Sequence, residues 1–79
     1  MNFELLIRVG LDALSRLTYV QAGKPFTIQQ LFDANVWGFI PNQYKTLFSN
    51  IFYNYVKNNK IKDIQIHGGA GNNYTYIKN

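Results

Sequence analysis

Seventy-nine residues carry a formal net charge of +4, thirteen aromatic rings and no cysteine. That length holds one two-layer core and leaves little room for a deep catalytic cleft, and the missing thiols exclude disulfides and thiolate metal sites. With four acids in the chain, a lone His67 and no triad context for Ser15 or Ser49, the sequence reads as a non-enzyme with no cofactor and no metal.

The first apolar stretch includes Glu4, Arg8 and Asp12. It is therefore read as neither a signal peptide nor a membrane span, and the expected compartment is the cytoplasm. From Asn2, a cap residue, to Val20 the chain is predicted helical. Leu6, Val9, Ala13, Leu17 and Val20 follow the helical period. Glu4, Arg8, Asp12 and Arg16 alternate in sign four residues apart, which makes a self-neutralised solvent face. Gly10 weakens a helix by about 1 kcal/mol against Ala, so close packing is expected there.

Gln21-Ala-Gly-Lys-Pro25 is a breaker loop. Thr27 then caps a second, short helix over residues 28–34, with Gln30 as its capping-box partner and Phe26 and Leu31 at hydrophobic-staple positions. Asn35 and Gly38 are read as turning the chain. The connection Val36-Trp37-Gly-Phe39-Ile40 is too apolar for a solvated loop and is expected on the core, with Trp37 mostly buried.

Pro41 opens a third helix that runs to Lys57 or Asn58. A helical projection centred on Ile51 puts Ile40, Tyr44, Leu47, Phe48 and Tyr55 in the buried stripe, with Phe52 at its margin. Lys45, Ser49, Tyr53 and Val56 fall on the far side, so Tyr53 is expected on a polar face between lysines. Two strands come next, residues 61–67 and 73–79, joined by the hairpin loop Gly68-Gly-Ala-Gly-Asn72. This loop lacks the Gly-Lys-Ser/Thr ending and the following helix of a phosphate loop. Alternation is read as placing Ile64, Ile66 and Ile77 inward and Tyr74, Tyr76 and Lys78 outward.

This order of elements is that of a winged helix-turn-helix. The sequence predicts one α+β domain over residues 1–79, three helices followed by a β-hairpin wing.

The charge is unevenly placed. Residues 1–33 sum to zero, so the whole +4 lies in residues 34–79. There Lys45, Lys57, Lys60, Lys62 and Lys78 interleave with Tyr53, Tyr74 and Tyr76. Ammonium groups neutralise phosphates, and exposed rings stack on unpaired bases. These eight residues are the candidate nucleic-acid-binding set, and the favoured partner is single-stranded DNA. Asn42, Gln43, Asn50 and Asn54 on the third helix suit adenine, but that helix has no arginine for guanine. A dimeric winged-helix regulator of duplex DNA stays open as an alternative, as does a protein-interaction module with tyrosine anchors.

A run of residues also carries a family resemblance. Phe26-Thr27-Ile28, Leu31-Phe32, Trp37, Pro41, Phe52, Val56, Tyr76 and Lys78 resemble a small domain-of-unknown-function family of Gram-positive bacteria and their mobile elements. The similarity extends to single-stranded DNA-binding proteins of staphylococcal cassette chromosome elements. It covers residues 24–79, and it departs where the family has Leu-Gly and this chain has Leu47-Phe48. The resemblance implies a winged-helix relative that handles unpaired DNA beside other replication proteins of a mobile element. Tyr76 and Lys78 are its carried-over binding residues.

Overall fold

A computed structural model describes residues 2–69 and 73–79. The last three residues of the expected hairpin loop, Ala70-Gly71-Asn72, lie outside the described residues, as does Met1. The elements are α1 (Phe3–Ser15), a 3-10 turn (Arg16–Tyr19), β1 (Phe26–Thr27), a second 3-10 turn (Ile28–Leu31), α2 (Ala34–Phe39), α3 (Asn42–Lys57), β2 (Ile64–Gly68) and β3 (Thr75–Lys78). The strands form one antiparallel sheet in the order β1-β3-β2. The chain is thus α+β, with three α-helices and a three-stranded sheet among the described residues.

α1 keeps its expected burial pattern but ends at Ser15, short of the Val20 expected, and a 3-10 turn continues it to Tyr19. The Asn2 side chain accepts the Leu5 backbone N–H at 2.8 Å, which satisfies one of the donors that a helix start leaves free. Leu6 and Ala13 are buried, and Val9, Leu17 and Val20 are half-buried. Glu4 pairs with Arg8 at 2.9 Å and Asp12 with Arg16 at 3.1 Å, both on the surface. Gly10 sits where a Cβ would lie 3.1 Å from Phe48 Cε1, so here the missing side chain lets α1 and α3 approach.

The second helix is corrected. Thr27 does stand at an N-cap, and Gln30 Oε1 accepts its backbone N–H at 2.7 Å. Residues Ile28–Leu31 form only a 3-10 turn, however, and Phe26-Thr27 extend into β1, which pairs with β3. The α-helix lies in the stretch read as a connection. Asp33 caps it, accepting the N–H groups of Asn35 at 2.9 Å and Val36 at 3.4 Å. Asn35 and Gly38 fall inside this helix instead of ending it. Trp37 is half-buried, not mostly buried, with its ring centroid 4.9 Å from that of Phe32.

α3 ends as expected at Lys57. Asn59 takes a left-handed conformation at φ 58, Lys60 N–H donates to Tyr55 O at 2.8 Å, and Asn59 N–H donates to Val56 O at 3.1 Å. This is a Schellman ending, with Asn where Gly is commoner. The expected facing of α3 is wrong by about one residue step, or about 100°. Phe52 and Val56 are the buried positions, whereas Leu47, Ile51 and Tyr55 are exposed. The cause is the sheet. Its inner face packs on the Phe52–Val56 side, and hydrophobicity alone did not reveal where the sheet would lie.

The hairpin facing is corrected for a related reason. Ile66 is paired with Tyr76, Ile64 with Lys78 and Gln65 with Ile77. Directly paired residues share a face, so Tyr76 goes inward with Ile64 and Ile66, and Ile77 goes to the other face with Gln65. A slip of one residue in register reverses every side chain. Tyr76 is 2% exposed and stands at the centre of the core with Phe26, Ile28, Leu31, Phe32, Ile40, Phe52 and Val56.

Candidate nucleic-acid interface

Tyr74, just before β3, and Tyr76 and Lys78 within it send their side chains to three different places. The Tyr76 ring meets Phe52 edge-on at 4.7 Å and lies 6.0 Å from Phe26. Burial pushes its phenol up to about 12, with smaller contributions from Tyr74 and Tyr53. Tyr76 therefore has no free ring face for a base, contrary to the sequence expectation.

Lys78 is also not on an outer face. Its Nζ donates to the Leu17 carbonyl at 3.1 Å and to the Thr18 carbonyl at 3.3 Å. These carbonyls belong to the turn that extends α1, so the ammonium caps the negative end of that helix. The contact ties the end of the chain to its first helix and occupies the charge expected at a phosphate.

Tyr74 lies at the edge of the core, half-buried. It stacks on Tyr53 of α3, with ring centroids 4.3 Å apart and planes 23° apart. Desolvation raises the Tyr74 phenol, and the neighbouring Tyr53 hydroxyl adds to that shift. Lys57, one turn further along α3, holds its Nζ 5.9 Å from the Tyr53 ring centroid. Tyr53 was expected on a polar face between lysines. It lies beside Lys57, but Tyr74 covers one side of its ring.

The helical repeat places Asn42, Thr46, Asn50, Tyr53 and Lys57 within an arc of about 80°. They form one polar stripe that ends in the stacked rings. Lys60 and Lys62 come after it, exposed, in the turn to β2. Lys45 is elsewhere: its Nζ lies over the Trp37 ring, 5.4 Å from the centroid, a cation–π contact.

The structure thus groups Tyr53, Tyr74 and Lys57, with Lys60 and Lys62 next in the chain. It separates Tyr76, Lys78 and Lys45 from them. The sequence reading missed the pairing of Tyr53 with Tyr74, because residues so far apart in the chain meet only through the strand register. It also missed the hairpin contact in which His67 Nδ1 lies 3.3 Å from Thr75 Oγ1. Among the described residues, no three His, Asp or Glu side chains converge as a metal site. No described helix is long and apolar enough to cross a membrane.

Residues 12–78 match the family described as Domain of unknown function (DUF1413). The chain belongs to this family. The DUF1413 match begins within α1 and includes every candidate binding residue, while the first turns of α1 precede it. No curated protein and no solved structure matches the chain. The DUF1413 description carries no activity.

Proposed function

We propose that this DUF1413 domain binds single-stranded DNA with little sequence preference, along the α3 stripe that ends in Tyr53, Tyr74 and Lys57. The observation that supports this reading is the Tyr53–Tyr74 stack at 4.3 Å. Two rings already aligned, on a basic and partly exposed edge, form a platform on which an unpaired base continues the stack. Such stacking accepts any base, because each has a π-face. Lys57, Lys60 and Lys62 then supply phosphate neutralisation.

We read the order α1-β1-α2-α3-β2-β3 and the sheet order β1-β3-β2 as a winged helix-turn-helix, with α3 in the recognition position and the hairpin as wing. The family resemblance extends the proposal to replication or transfer of a mobile element in the cytoplasm. A second reading, duplex recognition, is favoured by the exposed amides of Gln43, Asn50 and Asn54 on α3. Amides suit adenine, but α3 has no arginine for guanine or for several phosphates, so this reading ranks second.

The test is fluorescence anisotropy with a short oligonucleotide, its duplex and its RNA equivalent. Single-stranded DNA is expected to compete best. Three phosphate-contacting lysines give a slope of log K against log salt of about −2, at roughly 0.7 per phosphate. Affinity that does not change with salt contradicts any nucleic-acid reading. Preferred duplex binding moves the assignment to the second.

A further inference from the structure

The other side of α3 carries an unexplained surface. Leu47, Ile51 and Tyr55 are exposed there, and α1 beside them exposes Ile7, Leu11 and Leu14, with Phe3 at its end. Between the helices lies a groove of about 330 Å³, floored by Gly10, Ala13, Ile28, Phe32 and Phe52. Leu11 is 61% exposed and Phe3 76% exposed. We propose that this α1–α3 face is a homodimer interface, and that its occupant is the same face of a second copy of the chain.

Three observations favour a second copy over another occupant. The first is area. At roughly 150–250 Å² for a large side chain, the exposed fractions of these seven residues amount to on the order of 600 Å². That is the upper end of what a monomer leaves as one patch, and it approaches the roughly 800 Å² per partner of a standard interface.

The second observation is charge. The molecule carries +4, all of it outside residues 1–33. The charges that border the face on α1 are paired as Glu4–Arg8 and Asp12–Arg16. Lys45 and Lys57 project from other sides of α3. Two identical cationic molecules can therefore meet here without placing like charges together.

The third is shape. A two-fold interface needs protrusion and hollow on one surface. Leu11 projects at the rim of a groove large enough for such a side chain, and Phe3 is exposed at the start of the same helix. Ile51 lies about 160° from Tyr53 around α3, so pairing leaves both Tyr53–Lys57 stripes free. The proposal does not depend on the ligand assigned to those stripes.

The test uses the full chain. Sedimentation equilibrium from low micromolar to millimolar concentration is expected to show a mass rising from 9.2 kDa towards twice that value. Leu11→Glu is expected to give a folded monomer, with the dissociation constant raised at least ~100-fold. Phe39→Glu, at an exposed ring on α2 outside the face, is the control and should still dimerise. Hydrogen exchange on the unaltered protein gives a reading independent of variant folding: protection of α1 and residues 47–55 should rise with concentration. The proposal is overturned if the unaltered protein stays at 9.2 kDa throughout, whether the groove then takes a partner's helix or an acyl chain. It is also overturned if a folded Leu11→Glu chain dimerises normally, or if protection is independent of concentration.

Discussion

The Tyr53 side and the Ile51 side of α3 are both open to solvent, yet they are built differently. The first joins amides, a hydroxyl and a lysine to a ring pair that reaches across to the start of β3. The second is a row of aliphatic and aromatic side chains that continues onto α1. Between them lies the strip that packs inside, Phe52 and Val56. An amphipathic helix is commonly read as having one apolar stripe and one solvent face. Here the apolar arc is wider than the core needs, and the sheet, not the hydrophobic peak of the helix, selects which part is buried.

Tyr76 and Tyr74, the two tyrosines at β3, give the largest expected effect. Tyr76→Ala empties the centre of the core and should cost about 3–5 kcal/mol of stability, as truncation of buried rings does. Tyr74→Ala should cost much less, because that ring is half-exposed at the edge. Chemical denaturation of the two variants checks the contrast. Equal losses would show that the Tyr53–Tyr74 pair is core and not a surface platform.

Alkaline titration sharpens the same contrast. An ordinary tyrosine titrates near 10, and Tyr76 is pushed up to about 12 by burial. Its folded value is the higher one, so its contribution is fully present below pH 10. That contribution is lost as pH rises through 12. The loss amounts to about 2–3 kcal/mol, at 1.36 kcal/mol per pKa unit. Denaturation midpoints at graded pH should fall over that window, and Tyr76→Phe should remove most of the fall. Midpoints unchanged from pH 9 to pH 12 would contradict the buried phenol.

A smaller change away from both sides of α3 sets the baseline. Gln30→Ala removes the acceptor of the Thr27 backbone N–H and should cost about 1 kcal/mol. Oligonucleotide affinity should not change at temperatures where the variant is folded. Weakened binding in the folded variant would mean that the first turn after β1 belongs to the interface.

Local signals were legible in the sequence. Asn2 as a cap, the ion pairs of α1, the Thr27–Gln30 box, the close approach at Gly10 and the end of α3 each depend on residues a few positions apart, or on one unusual residue. The reading failed where long-range geometry decides. Asp33 is a usable cap signal for α2, but the Val36–Ile40 run is apolar enough to suit a buried connection, although Phe39 within it is exposed. The facing of Tyr76 depended on hairpin register, and the loop that sets register was too long and glycine-rich to fix it. The facing of Ile51 depended on where the hairpin would dock. Of the candidate site, Tyr53 and Lys57 were legible from helical projection. The engagement of Lys78 with the Leu17 and Thr18 carbonyls was not, since it joins residues 61 and 60 positions apart.

The most direct test of the two-sided account of α3 is anisotropy of Tyr53→Ala and Tyr53→Phe with a short single-stranded oligonucleotide, with thermal melts alongside. Tyr53→Ala should weaken binding by about 1–3 kcal/mol, the range for loss of a base–ring stack. Tyr53→Phe should keep most of the affinity, because the ring survives. Ile51→Gln, on the opposite side of the same helix, should leave the affinity for a short oligonucleotide unchanged. A folded Tyr53→Ala protein with undiminished single-strand affinity would contradict the account.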